Sequence, residues 1–139
     1  MPKIKISSKY RPSEKEKFMG AKQREFFRRR LLGWRDELVR DAQGTIQNLQ
    51  EDDGQAPDIA DRATTESERS IELRARDRQR KLVAKIDAAL GRIEDGSYGF
   101  CDDTGEPIGL KRLEARPIAT LSIEAQERHE RRERVYREE

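Results

Sequence analysis

The chain has 139 residues, enough for one domain with or without an extension. Only 33% of them are hydrophobic and 42% are charged, which excludes a large central core and leaves either disorder or long helices with one thin apolar stripe. A net charge of +2, with the signs interspersed, excludes a simple polyelectrolyte tail and fits solvated helix faces.

Residues 1–12 read as a flexible basic arm ending at Pro12. No apolar segment follows it, so no signal peptide is expected. Ser13 followed by Glu14 and Glu16 reads as a helix start, with acid in the first turn. Apolar residues then recur at Phe27, Leu31, Trp34, Leu38, Ala42, Ile46 and Leu49, which is one face of an α-helix running to about Gln50. Gly20, Gly33 and Gly44 each weaken that helix by about 1 kcal/mol relative to alanine, so packing must compensate.

Gly54 and Pro57 break the pattern. The break, EDDGQAPDIAD at 51–61, holds five carboxylates and no lysine or arginine. Asp61 is a candidate N-cap for a second helix, and Thr65 with Glu68 offers another capping register. That helix spans roughly 62–94, about 50 Å by its rise per residue. Its stripe is Ile71, Ala75, Arg78, Leu82, Ile86, Ala89 or Leu90, and Ile93, and Gly96 can end it.

Two stripes of matched length across a short break predict a long antiparallel two-helix coiled-coil hairpin over 13–95, with its tip at about 51–63. Folding about residue 56 pairs Leu38 with Ala75, Leu31 with Leu82 and Phe27 with Ile86. The fold class is therefore mainly α, with a small knuckle-like module (96–121) and a C-terminal helix (122–139) at the base of the hairpin. The knuckle reading comes from SYGFCDDTGEPIG at 97–109, with Gly99, Gly105, Pro107 and Gly109 at turn spacing. LKRLEAR makes a short helical turn before Pro117. Tyr98, Phe100, Ile108, Leu110, Leu113, Ile118, Leu121 and Ile123 can pack the module.

Cys101, Thr104, Ser122 and Ala125 form C-x2-T-x17-S-x2-A. Four cysteines at this spacing would be a strong zinc pattern. Threonine, serine and alanine do not supply zinc ligands, so no zinc is expected. The single cysteine also excludes an internal disulfide. Cys101 has three readings: a small buried side chain, a redox-sensing thiol, or a zinc ligand with Asp102 or Asp103 and His129. The first is preferred.

PDIADRA at the tip, ELRARDRQRKLVAKI on the second helix and IGLKRLEARP before the last helix resemble the DksA family of bacterial transcription regulators. The lost cysteines place the chain with the cysteine-poor branch. The resemblance covers about Phe26 to Glu127. It implies a non-enzymatic regulator that binds RNA polymerase through the secondary channel and modulates initiation, for example at ribosomal RNA promoters. It implies a polymerase-modulating tip of Asp58, Asp61 and Ala63, and polymerase contacts by Arg74 and Arg78. It also implies a site for guanosine tetraphosphate at the polymerase junction, made by Leu82, Lys85 and Arg116, with Gln126 where the family commonly has lysine. No sequence-specific DNA binding and no membrane association are implied, and the expected state is a cytoplasmic monomer. Two other classes compete. A transcript-cleavage factor would hold Mg2+ on Asp58 and Asp61. A generic coiled-coil scaffold or nucleic-acid-binding rod would show a basic stripe and strong salt dependence.

Overall fold

Ser13 starts a turn and not a long helix. Its hydroxyl accepts from the Lys15 amide, its own amide donates to Glu16 Oε1, and its carbonyl accepts from the Glu16 amide. These are capping-box contacts. Propagation stops at Met19, whose φ of 53° lies in the left-handed region. The Met19 amide donates to the side chain of Gln23, and Gln23 Nε2 donates back to the Ser13 carbonyl. A buried glutamine thus ties the turn down, and the first helix begins later than Ser13.

In the computed structural model, which describes residues 4–51 and 59–138 (side chains 4–44 and 61–137), four helices follow in order: α1 Ala21–Glu51, α2 Ile59–Asp95, α3 Leu110–Ala115 and α4 Ile123–Glu138. The chain divides into two compact units. A base unit joins Met1–Leu31 to Ala88–Glu139, and an arm unit is Leu32–Asp87.

In the base unit Phe27, Leu31, Ala89, Ile93, Tyr98, Leu113 and Ala125 are almost fully buried. Phe27 meets Phe26 edge-on at 5.2 Å and Tyr98 at 5.7 Å, and Phe18 meets Phe100 edge-on at 5.6 Å. Burial pushes the Tyr98 phenol up. Its hydroxyl donates to the Pro117 carbonyl, which satisfies it inside the core. Gly96, at φ +86°, follows the end of α2, and the amides of Ser97 and Tyr98 both donate to the Arg92 carbonyl. The knuckle is a tight hairpin-like loop. Phe100 and Pro107 form an antiparallel bridge, the Cys101 amide donates to Glu106 and the Ile108 amide donates to Gly99. Ile123, expected to pack this module, is 52% exposed at the start of α4.

In the arm unit, α1 and α2 run side by side, and Arg35 pairs with Asp87 at 2.7 Å. Folding about residue 56 would set Arg35 opposite Arg78. The observed register is displaced by about two and a half helical turns. The α2 stripe is also rotated from expectation. Ile71 is 61% exposed and Arg78 points to solvent, while Ala75, Gln79 and Leu82 are half-buried. Gln79 therefore takes the inward place expected for Arg78.

Candidate functional site

The first helical residue of α2 is Ile59, so Asp61 is the third position of the helix. A residue with helical backbone cannot be the N-cap, which corrects the capping expectation for Asp61. Thr65 is interior as well, and its hydroxyl donates to the Asp61 carbonyl at 2.8 Å. The Asp61 carboxylate still lies in the first turn, where the helix dipole favours negative charge. Both Asp61 and Ala63 are exposed. Asp58, the other tip residue, lies outside the described residues.

Further along α2 the structure brings Arg74 and Arg78 together. They line one cleft of about 640 Å³ with Arg69, Leu73 and Asp77, which is one helical face at spacings of three and four. Asp77 accepts from Arg80 at 2.7 Å and Lys81 at 3.2 Å, and the Lys81 ammonium beside it, with Arg80, holds its carboxyl below the usual range. Arg74 and Arg78 have no carboxylate partner among the described residues. Leu73, half exposed between these cations, escaped the sequence reading because it lies off the seam stripe. The Arg74 and Arg78 guanidinium groups stand beside apolar Leu73, with the Glu66 carboxylate also on the lining, and this face can receive an acidic protein surface.

Leu82 and Lys85 sit one turn apart on α2 in the arm unit, Leu82 half-buried and Lys85 exposed. Arg116 belongs to the base unit, where it ends α3 with its amide on the Arg112 carbonyl at 2.7 Å and its side chain exposed. Gln126 is half-buried on α4 and donates to Glu130 at 3.3 Å.

The four knuckle positions do not fit zinc. Cys101 is 3% exposed. Ser122 Oγ accepts from the Ala125 amide at 3.2 Å and so caps α4, and Ala125 is fully buried with no donor atom. Thr104 Oγ accepts from the Glu106 amide at 3.2 Å. His129 Nε2 lies 2.7 Å from Asp103 Oδ2. Among the described residues no three His, Cys, Asp or Glu side chains group as a metal site. The thiol itself is unusual. Burial pushes it up, but the Ser122 backbone amide, the Thr104 side chain and the Thr104 and Asp103 amides more than offset this and bring it down to about 6. No residue pattern signals that shift, because three of the four donors are backbone groups.

No helix among the described residues is long and apolar enough to cross a membrane. Two family descriptions match the chain: "DnaK suppressor protein DksA, N-terminal domain" over residues 23–93, and "Prokaryotic dksA/traR C4-type zinc finger" over 96–131. A Caulobacter vibrioides protein named RNA polymerase-binding transcription factor DksA is 60% identical over 131 residues, covering 94% of this chain and 92% of the relative. The Escherichia coli K12 protein of the same name is 42% identical over 125 residues, covering 90% and 83%. The solved structure of transcription factor DksA2 from Pseudomonas aeruginosa superposes with a TM-score of 0.78 at 48% identity, covering 84% of this chain and 90% of that one.

Proposed function

The chain belongs to the DksA family, and on that premise we propose that it binds RNA polymerase directly and regulates transcription without catalysing a reaction of its own. The observation that carries this is the 60% identity, over nearly the whole of both chains, to a relative named for polymerase binding. The α2 face supports it physically, since Arg74 and Arg78 have no carboxylate partner among the described residues and flank the exposed Leu73.

In this reading the two-helix arm enters the secondary channel and presents Asp58, Asp61 and Ala63 near the catalytic centre. The acidic tip approaches a field set by Mg2+ and basic side chains, while the mixed-charge arms stay solvated against polar walls. Initiation at promoters such as those of ribosomal RNA is the step affected, in the cytoplasm. The knuckle folds without zinc, held by hydrogen bonds and apolar packing. Guanosine tetraphosphate binds where Leu82, Lys85 and Arg116 meet polymerase, the cations receiving phosphate.

The test is transcription from a ribosomal RNA promoter by purified polymerase, with binding followed by anisotropy of the labelled full-length chain. The expected outcome is saturable binding that Arg74→Ala with Arg78→Ala weakens, together with inhibition of the promoter. Absence of binding at micromolar concentrations would overturn the reading. For the alarmone, Lys85→Ala with Arg116→Ala removes its enhancement and keeps polymerase binding. An unchanged alarmone response in that double variant refutes those two assignments.

A further inference from the structure

The amino-terminal arm takes no part in the polymerase contacts described above. Its first thirteen residues contain Lys3, Lys5, Lys9 and Arg11 and no acid. The arm is anchored on α1 by the Arg29 guanidinium, which reaches the carbonyls of Ile4 and Ile6 at 3.4 and 3.5 Å. Between arm, α1 and α3 lies an open cleft of about 660 Å³. That is within the range of small-ligand sites.

The charge balance of the cleft is one-sided. Arg11, Arg29 and Arg30 line it against a single carboxylate, Glu114. Glu25, behind Arg29, is already shared with Arg28, at 2.8 Å to Arg28 and 2.9 Å to Arg29. Neither Arg11 nor Arg30 has a carboxylate partner among the described residues. Tyr10 and Phe26 add ring surface and meet edge-on at 6.2 Å, and Ser7 and Ser8 complete the lining, the Ser7 hydroxyl accepting from the Lys9 amide.

We propose that this cleft is a binding site for a small phosphate-bearing ligand of the nucleotide class, independent of polymerase contact. Arginine forks match phosphate oxygens two at a time. Aromatic rings accept a base by stacking, and serine hydroxyls with Glu114 offer polar partners for sugar and base edges. A bare anion would use only the guanidinium groups, whereas a nucleotide uses every kind of group present.

Calorimetric titration of the full-length protein at low ionic strength tests the assignment, with GDP, pyrophosphate and guanosine as probes and a single-stranded decanucleotide as the macromolecular comparison. Saturable GDP binding is expected, with pyrophosphate weaker and guanosine giving no measurable heat. Arg30→Gln and, separately, Arg11→Gln weaken GDP by roughly tenfold, the scale of a lost charge-assisted contact. Both side chains are exposed, so far-UV dichroism stays unchanged, and Arg137→Gln on α4 leaves binding intact. The assignment is overturned by any of four results. These are no saturation with millimolar GDP, guanosine equal to GDP, the oligonucleotide binding tighter than GDP, or Arg30→Gln and Arg11→Gln both binding like the parent.

Discussion

Removing the Cys101 thiol should change stability in a pH-dependent way that ordinary core truncation does not. In the folded protein the thiol titrates at about 6, against an ordinary 9.0. A group whose folded pKa is depressed contributes stability that is full above the unfolded value and is lost as pH falls through the folded one. For Cys101 the contribution therefore grows from pH 6 to pH 9. One pKa unit corresponds to about 1.4 kcal/mol, and integrating the two titrations gives a gain of about 2 kcal/mol between pH 6 and pH 8. Cys101→Ala removes this gain and also leaves a small cavity, but the cavity cost is the same at every pH. The assay is urea unfolding of both proteins at pH 6, 7 and 8, taking the difference at each pH. Taking the difference at each pH cancels what the two proteins share and leaves the part that depends on the thiol. The thiolate absorbance near 240 nm gives a direct check, with a midpoint near pH 6. A flat stability difference from pH 6 to 8, together with thiolate absorbance appearing only above pH 8, refutes the claim that the Ser122, Thr104 and Asp103 donors hold a thiolate.

Gly99 has φ +90°, and an added Cβ would stand 2.9 Å from Met19 Cγ and 3.3 Å from Met19 Sδ; Gly99→Ala should therefore destabilise the base unit by about 2 kcal/mol in urea unfolding, the strain adding to the clash. Treatment with a zinc chelator should leave the thermal unfolding midpoint unchanged, and elemental analysis should find far less than stoichiometric zinc; a stoichiometric metal whose removal unfolds the knuckle would contradict the proposal that it folds without zinc. Asp61→Asn removes the tip charge at a position inside the first turn, so helix stability should fall by only about 0.5 kcal/mol while polymerase binding persists and promoter inhibition is lost; full inhibition by this variant would show that the charge is dispensable.

Periodicity carried most of the fold. Steps of three and four from Phe27 onward gave the long helices, because an amphipathic rod must repeat its apolar contacts every turn. The start of α1 was misplaced for a specific reason. Ser13 and Glu16 carry a genuine capping signal, but a tertiary contact by Gln23 ends the turn at Met19, and no local pattern encodes a contact of that range. The α2 seam was misread at Ile71 and Arg78 because an ideal stripe drifts around a long helix. A half-buried glutamine at 79 also gives no apolar signal, and its Oε1 is buried without a partner among the described residues.

The site was legible unevenly, and the unevenness follows from which groups do the work. Arg74 and Arg78 could be named because their side chains act and the helix spaces them. Their availability could not, since it depends on Arg80 and Lys81 occupying Asp77. The knuckle turns announced themselves through Gly99, Gly105 and Gly109, all at positive φ. The environment of Cys101 did not, because backbone amides from residues 103, 104 and 122 create it. With Thr104, Ser122 and Ala125 at the other three positions, the loop still directs donors at the single sulfur. Ser122 caps α4, and Ala125 fills core where a ligand side chain would stand. These contacts order the loop through the chain's own groups. Substitutions at Ser122 and Thr104 should therefore disturb the Cys101 titration and the base unit together, although neither side chain can serve as a zinc ligand.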